Sequence, residues 1–309
     1  MKSLQLVRGG VCRPDTAEAL YDQVIGARPA GQTEPLTLDL SQVSFVPADM
    51  LLRLVTVARL WHRWTGHRTA LVGMRSDVHQ YLERMNLFST CGEWVEQEHP
   101  LDPLGRYGRS RASRTLLEIV PLSADKWQNR RDVTDAVLRA ERILTTWFSS
   151  NGHGFHHLLT ILSEIASNVT HSLDQGFAVI QRYRDPRRSP AGSRVTIAVA
   201  DLGIGIETSL RRKRARIGLD GPGALQSGSG AILQAFQLGV TGRDTIGGLG
   251  LARVQSIIEE WRGSLTIRTH QSAVRFEGDA VYPQDGLAEV SGTQVTITVR
   301  GISDDDPPF

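Results

Sequence analysis

The sequence predicts two α/β domains in tandem. Three observations carry this expectation. Strand-like and helix-like periodicities alternate in both parts of the chain. Residues 98–114 (EHPLDPLGRYGRSRASR) interrupt them with a run rich in Pro, Gly, Arg and Ser. A length of 309 residues is also more than one hydrophobic core ordinarily organises. The expected division is a first domain over 1–97, a linker over 98–114 and a second domain over 115–309.

In the first domain, Leu36-Thr37-Leu38-Asp39-Leu40 alternates apolar and polar residues with the period of a strand. Residues 48–65 follow with helical spacing, placing Met50, Leu51, Leu54, Val57, Ala58 and Trp61 on one side, and Gly66 ends the helix. Residues 69–73 read as a second strand. Ser76 then caps a short helix running to Met85, with Val78, Leu82 and Met85 facing inward. In the second domain, 116–120 reads as a strand and 134–147 as a helix. A stronger helix spans 158–171, with Leu158, Leu162, Ile165 and Val169 on one stripe. Strands are expected at 178–183 and 195–200. A Gly- and Arg-rich stretch runs from about 207 to 248, followed by a helix over 249–261 and strands over 265–269 and 294–299. No internal repeat is present.

Composition narrows the functional classes. The chain is 40% hydrophobic and 22% charged, with a formal net charge of +2, which argues against a general polyanion-binding surface. Tyr107 is the one aromatic residue in the basic 98–114 segment, so a base-stacking nucleic-acid arm is disfavoured there. Cys12 and Cys91 form no C-x-x-C pair, which disfavours a disulfide framework or a cysteine zinc site. His153, His156 and His157 lack a carboxylate or thiol partner set at zinc spacing. No apolar h-region follows Met1, and no apolar run approaches the roughly 20 residues needed to cross a bilayer. A cytoplasmic protein without a membrane span is the expectation.

The chemistry-bearing residues fall in four groups. Glu164, Asn168 and His171 are spaced four and then three residues apart, which on a continuous helix puts all three on nearly one face, away from the apolar stripe. Asn offers an oxygen to Mg²⁺, an ion that keeps several waters and takes few protein ligands, while Glu can act as general base. Asp201 stands where the strand Val195-Thr196-Ile197-Ala198-Val199-Ala200 ends, and Leu202-Gly203-Ile204-Gly205-Ile206 follows. Two glycines one residue apart let the backbone turn sharply and approach a flat ligand. A carboxylate beside that turn can accept a hydrogen bond from an exocyclic amine. A dinucleotide-binding loop does not fit, because Thr208 stands where its third glycine would be, and a P-loop does not fit, because the chain contains no Gly-Lys pair. Gly247-Gly248-Leu249-Gly250-Leu251 opens a helix, and free N–H groups at a glycine-rich helix start suit phosphates. Gly292-Thr293 precedes the last strand.

Taken in order and spacing, these four groups resemble the GHKL superfamily of Bergerat-fold, histidine kinase-like ATPases, over roughly residues 115–300. The resemblance implies an α/β sandwich whose mixed sheet is covered by helices, with ATP and Mg²⁺ as ligands. It implies Asn168 as the magnesium ligand, Glu164 as the catalytic base and Asp201 as the adenine contact. Gly203, Gly205 and Ile206 would shape the base pocket, with Thr293 supporting it. Gly247, Gly248, Leu249, Gly250 and Leu251 would hold phosphates. His171 occupies a position that is often Lys or Arg in kinase members and would face the phosphates. Residues 207–246 would form the ATP lid, which carries Arg211, Arg212, Lys213, Arg214 and Arg216.

Residues 36–88 are similar to a STAS domain, the fold of anti-sigma-factor antagonists, with Asp39 and Phe45 in the matching places. Where those proteins carry a phosphorylated serine, this chain reads Phe45-Val46-Pro47-Ala48-Asp49-Met50. Asp49 is either a fixed imitation of the phosphorylated state or a plain helix N-cap. The expected function is a Mg–ATP-binding regulatory protein in signalling: a nucleotide-dependent switch with slow ATP hydrolysis or serine/threonine kinase activity. The alternative is a non-catalytic nucleotide-binding scaffold. A regulatory protein partner is expected, and a homodimer accords with the resemblance. Nucleic acid ranks last among the partners.

Overall fold

The computed structural model describes residues 2–5, 10–11, 14–28, 34–100, 116–144, 153–183, 194–216, 226–236, 250–260 and 263–300. The chain divides into two compact units, Met1–Ser113 and Arg114–Phe309. The structure is mixed α/β, with a parallel sheet in the first unit and an antiparallel sheet in the second.

The first unit runs β1 (Lys2–Gln5), β2 (Gly10–Val11), α1 (Pro14–Gly26), β3 (Leu36–Asp39), β4 (Val43–Phe45), α2 (Ala48–Thr65), β5 (Thr69–Val72), α3 (Ser76–Arg84), α4 (Leu87–Thr90) and β6 (Val95–Gln97). Its sheet has the order β1-β3-β5-β6, and every pairing is parallel. Parallel neighbours need crossover connections, and helices fill each interval. Leu36, Thr37 and Leu38 are all buried, so the alternation in β3 marks a strand covered on both faces rather than one half in water.

Helix α2 is buried around most of its circumference, including Arg53, whose Nη1 donates to Glu18 Oε1 at 3.1 Å beside the Tyr21 ring. Gly66 closes α2 in the left-handed region (φ 74°), its N–H donating to the His62 carbonyl. Two capping expectations are corrected. The N-cap of α2 is Pro47, so Asp49 sits inside the first turn, where a carboxylate favours the helix dipole without capping. The N-cap of α3 is Arg75 rather than Ser76, and Asp77 Oδ1 accepts from the Val78 N–H at 3.0 Å. The linker expected from residue 98 begins with a residue still tied to the sheet, since Glu98 accepts from the Gly73 N–H and its own N–H donates to Leu71.

The second unit runs β7 (Leu116–Leu122), α5 (Lys126–Leu144), α6 (His153–Ser167), a 3-10 turn (Asn168–His171), β8 (Gly176–Tyr183), β9 (Arg194–Asp201), α7 (Gly205–Arg216), α8 (Ser229–Ala235), α9 (Gly250–Glu260), β10 (Ser264–His270), β11 (Ser272–Glu277), β12 (Ala280–Gln284) and β13 (Val290–Arg300). The seven strands form one sheet in the order β12-β11-β10-β13-β9-β8-β7. The expected mixed sheet is corrected, because every neighbouring pair is antiparallel. The cause is connectivity. The helix pair α5–α6 between β7 and β8 returns the chain reversed. β9 and β10 point the same way, but β13 occupies the place between them and opposes both.

Helix α5 starts eight residues before the expected 134, because Asp125 Oδ1 accepts from the N–H groups of Trp127 and Gln128 and so caps a polar first turn. A single buried cluster joins the sheet to α5, α6, α8 and α9 through Leu117, Ile143, Leu162, Ile197, Ile232, Val254, Ile267 and Ile297. The stretch expected as the ATP lid, 207–246, contains most of α7 and all of α8.

Two glycines at helix ends predict opposite effects. Gly66→Ala places a Cβ in the left-handed region with no clash and is expected to lose about 1 kcal/mol of stability. Gly26→Ala, at a helical position with open space around it, is expected to gain roughly 0.5 kcal/mol. Urea unfolding of both variants checks the sign difference.

Candidate functional site

The site begins where α6 ends. Leu158, Ile161, Leu162, Ile165 and Ala166 bury one stripe of the helix. After Ser167 the chain tightens into the 3-10 turn, so Glu164 lies on the α-helix while Asn168 and His171 lie on the turn. The expected continuous helical face is therefore broken between Glu164 and Asn168. The tightening frees late carbonyls of α6, and buried Asn129 of α5 donates Nδ2 to the Ala166 carbonyl (3.4 Å) and to Ser123 (2.9 Å). Ser172 Oγ closes the turn by donating to the Val169 carbonyl at 2.7 Å.

Strand β9 delivers Asp201 to the same place. The residue is buried, at 6% exposure, and its Oδ1 accepts from the Gly203 N–H at 2.8 Å. The Ile204 N–H donates to the Ser172 carbonyl at 2.9 Å, stitching the loop after β9 to the turn after α6. Gly203 must be glycine, because a Cβ there would overlap the Ser172 carbonyl oxygen. Gly292 is equally constrained, with φ 86° and a Cβ position that overlaps the Asp201 carbonyl oxygen. On the other side, Thr269 Oγ1 donates to the Gly292 carbonyl (2.8 Å) and accepts from the Ile206 N–H (3.3 Å).

These segments enclose one cleft of about 880 Å³, its open mouth included. Asn168, His171, Asp201, Gly205, Ile206, Leu251 and Thr293 all line it, so residues 168 and 201 border a common space. Its walls are largely apolar, with Ile165, Val199, Ile267 and Val295 among them. Gly203 shapes the loop behind the wall instead of lining it. Glu164 is half-buried and is not among the described lining residues. Gly250 opens α9, whereas Gly247, Gly248 and Leu249 lie outside the described residues.

Further contributors escape motif reading. Ser172, Ser209, Leu210 and Ala235 also line the cleft. Asp285, at the end of the β11–β12 hairpin, holds the start of α8: Ser229 N–H donates to its Oδ1 (2.8 Å) and Ser229 Oγ to its Oδ2 (2.7 Å). Ser272 Oγ donates to Oδ1 as well, at 2.6 Å. Glu207 Oε2 accepts from the Gly228 N–H at 3.0 Å, and its Oε1 pairs with Arg211 at 2.8 Å. The Ser272 and Ser229 donors hold the Asp285 carboxyl below its usual pKa. Burial pushes the Glu207 pKa up, but the Gly228 N–H and Arg211 outweigh it, and the net shift is downward. No local spacing announces these partners, since Asp285 lies 56 residues from Ser229.

Among the described residues no helix is long and apolar enough to cross a membrane.

Two outcomes follow from this geometry. Gly292→Ala combines left-handed strain with backbone overlap, and is expected to cost about 3 kcal/mol in chemical denaturation. The Asp285 and Glu207 contacts to the start of α8 are present above ordinary carboxylate pKa values and are lost as pH falls through the depressed ones. Hydrogen exchange at the Gly228 and Ser229 amides should therefore lose protection on acidification. Asp285→Asn should leave Ser229 less protected than wild type already at neutral pH.

No protein-family model matches the chain, and no curated protein matches it.

Proposed function

We propose that the second unit binds Mg–ATP, and that the protein is a regulatory switch of the GHKL type, with a STAS-like first unit through which a protein partner is engaged. The observation that carries this reading is the convergence of Asn168, Asp201 and Thr293 on one apolar-walled cleft. Their carriers, a helix end, a strand end and the start of the last strand, are far apart in sequence.

The residues fit the ligand. Asp201 would accept a hydrogen bond from the exocyclic amine of adenine, and Thr293 would add a hydroxyl beside it. Ile206, Ile267 and Val295 offer apolar contact to the purine, while Gly203 and Gly292 permit the backbone approach that shapes the pocket. Asn168 would hold Mg²⁺ through its amide oxygen, with His171 beside it at the phosphate end. Bound Mg²⁺ neutralises phosphate charge during transfer. The glycines at 247, 248 and 250 would present N–H groups to the phosphates at the start of α9. Glu164 would serve as base for water or for a partner hydroxyl.

One observation favours the non-catalytic alternative. Glu164 stands one turn before Asn168 and outside the described lining of the cleft. A protein that binds the nucleotide without turning it over, as a scaffold for a complex, needs Asp201 and Asn168 but not Glu164.

Calorimetric titration separates these possibilities. Wild type is expected to bind ATP more tightly with Mg²⁺ than without, and Asp201→Asn to weaken binding at least about tenfold through loss of a charge-assisted hydrogen bond. No binding by wild type, or equal binding by Asp201→Asn, would remove the nucleotide reading. Phosphate release by wild type that disappears in Glu164→Ala while ATP binding persists supports the enzyme. Absence of turnover in both supports the scaffold.

A further inference from the structure

The loop that carries Gly203 and Gly205 needs something to hold its outer side, and a histidine on β10, two strands from β9 in the sheet, does so. His270 ends β10 at a bulge in the pairing with β13, with φ 50°. Its ring packs directly on Gly205, where a Cβ would lie 2.5 Å from Cδ2 and Nε2. Nε2 is 3.0 Å from the Ile204 carbonyl oxygen, and Nδ1 is 2.7 Å from Glu289 Oε1. A carbonyl and a carboxylate only accept, so both ring nitrogens donate, and the ring that satisfies both is the imidazolium. Its backbone is fixed too: buried Arg268 donates Nη1 to the His270 carbonyl (2.9 Å) and Nη2 to Ala288 (2.7 Å).

We infer that His270 is a positioning residue for the nucleotide site: as an imidazolium bridging Glu289 and the Ile204 carbonyl, it pins the loop from Asp201 to Ile206 in its ligand-ready shape. The inference rests on the nucleotide reading for its functional consequence, although the clamp itself is a property of the ligand-free loop. His270 touches no reacting group. It acts through Ile204 and Gly205, whose neighbours Asp201 and Ile206 line the cleft.

The charged groups around His270 come from three places, two acting on the ring and Arg268 on the main chain. Glu289 lies just before β13, Glu207 is in the first turn of α7, and Arg268 is on β10 itself. Arg211 shares the Glu207 carboxylate, which tempers its pull on the ring. Burial alone pushes the imidazole pKa down, but the Ile204 carbonyl and the Glu289 and Glu207 carboxylates outweigh it and hold it above the usual histidine value. The sign follows from linkage. The clamp is fully formed below the ordinary histidine pKa and is released as pH rises through the raised one. The loop therefore loosens toward alkaline pH, a response no carboxylate contact in the site produces.

The test uses the full chain with three readouts between about pH 5.5 and 9: the NMR titration of His270, hydrogen exchange at the Ile204 and Ile206 amides corrected for intrinsic rates, and the Kd for Mg–ATP. In wild type, protection of the two amides is expected to fall through the His270 midpoint. Glu289→Gln should move that midpoint downward, and serves as the second variant should His270→Gln fold poorly. His270→Gln should give pH-independent protection, with ATP binding about tenfold weaker than wild type near pH 6 and converging with it near pH 9. The ratio of the two Kd values cancels the titration of the nucleotide itself.

Amide protection that does not change through the His270 midpoint, or an unmoved midpoint in Glu289→Gln, overturns the clamp whether or not ATP binds. pH-dependent protection in a wild-type protein that binds no ATP preserves the clamp and overturns the nucleotide reading instead. A ratio of Kd values constant across the range, with ATP bound, removes His270 from any role in binding.

Discussion

Three stretches of backbone meet at the end of β9 more closely than any side chain permits. The turn after α6 presents the Ser172 carbonyl to Gly203, and the start of β13 lays Gly292 over the Asp201 carbonyl. Gly176 opens β8 beneath Val169, where a Cβ would stand 2.8 Å from a methyl. Because the chains touch directly, Asp201 and the polar residues around it are placed by main-chain packing rather than by long side chains. That placement is what makes the cleft a fixed shape. Side-chain rotamers can adjust to a neighbour, but a carbonyl wedged against a glycine can move only by shifting the whole strand.

Around this rigid knot, the next layer of structure is held by carboxylates acting across long sequence separations. Asp285 takes two donors from Ser229 and one from Ser272, Glu207 takes the Gly228 N–H, and Glu289 takes one side of His270. Each satisfies a backbone or side-chain donor that the local sequence leaves open. Helix starts are short of acceptors by construction, and α8 finds its acceptors on two other elements. The β11–β12 hairpin and the start of α8 are thereby tied together.

This layering explains which features were legible in the sequence. Helix α2 is readable to the residue, because its apolar spacing is long and Gly66 closes it. The knot is readable as well: Asp201, Gly203, Gly205, Gly292 and Thr293 stand out because close backbone approach leaves a glycine signature beside strand ends. Helix α1 carries its own signals in Pro14, the apolar spacing of Ala17, Leu20, Tyr21 and Val24, and a terminal glycine. Helices α7 and α8 are different. One is arginine-rich with Leu210 as its buried anchor, and the other is seven residues long and capped from 56 residues away. Their stability is tertiary, and the helical spacing of Ala231, Ile232 and Ala235 in α8 is too short to announce a helix by itself. The break between Glu164 and Asn168 was hidden for the same reason, since a 3-10 tightening depends on Asn129 and Ser172 receiving the freed carbonyls.

The contrast between knot and roof bears on how a nucleotide could act as a signal. A switch needs an element near its stability limit whose position a ligand biases, together with a frame that does not yield. The strand-built end, with Asp201 and Thr293, has the character of the frame. The roof has the other character: seven residues cannot hold a helix in water unaided, so α8 persists only while Asp285 and Glu207 grip its first turn and Ile232 and Ala235 stay packed. Ala235 lines the same cleft as Asp201. A ligand seated against the frame would therefore also meet α8, a helix held by its buried Ala231 and Ile232 and by the carboxylates at its start. On the proposed switch reading, a change in occupancy there would bear on α7 and the β11–β12 hairpin, which Glu207 and Asp285 tie to the start of α8.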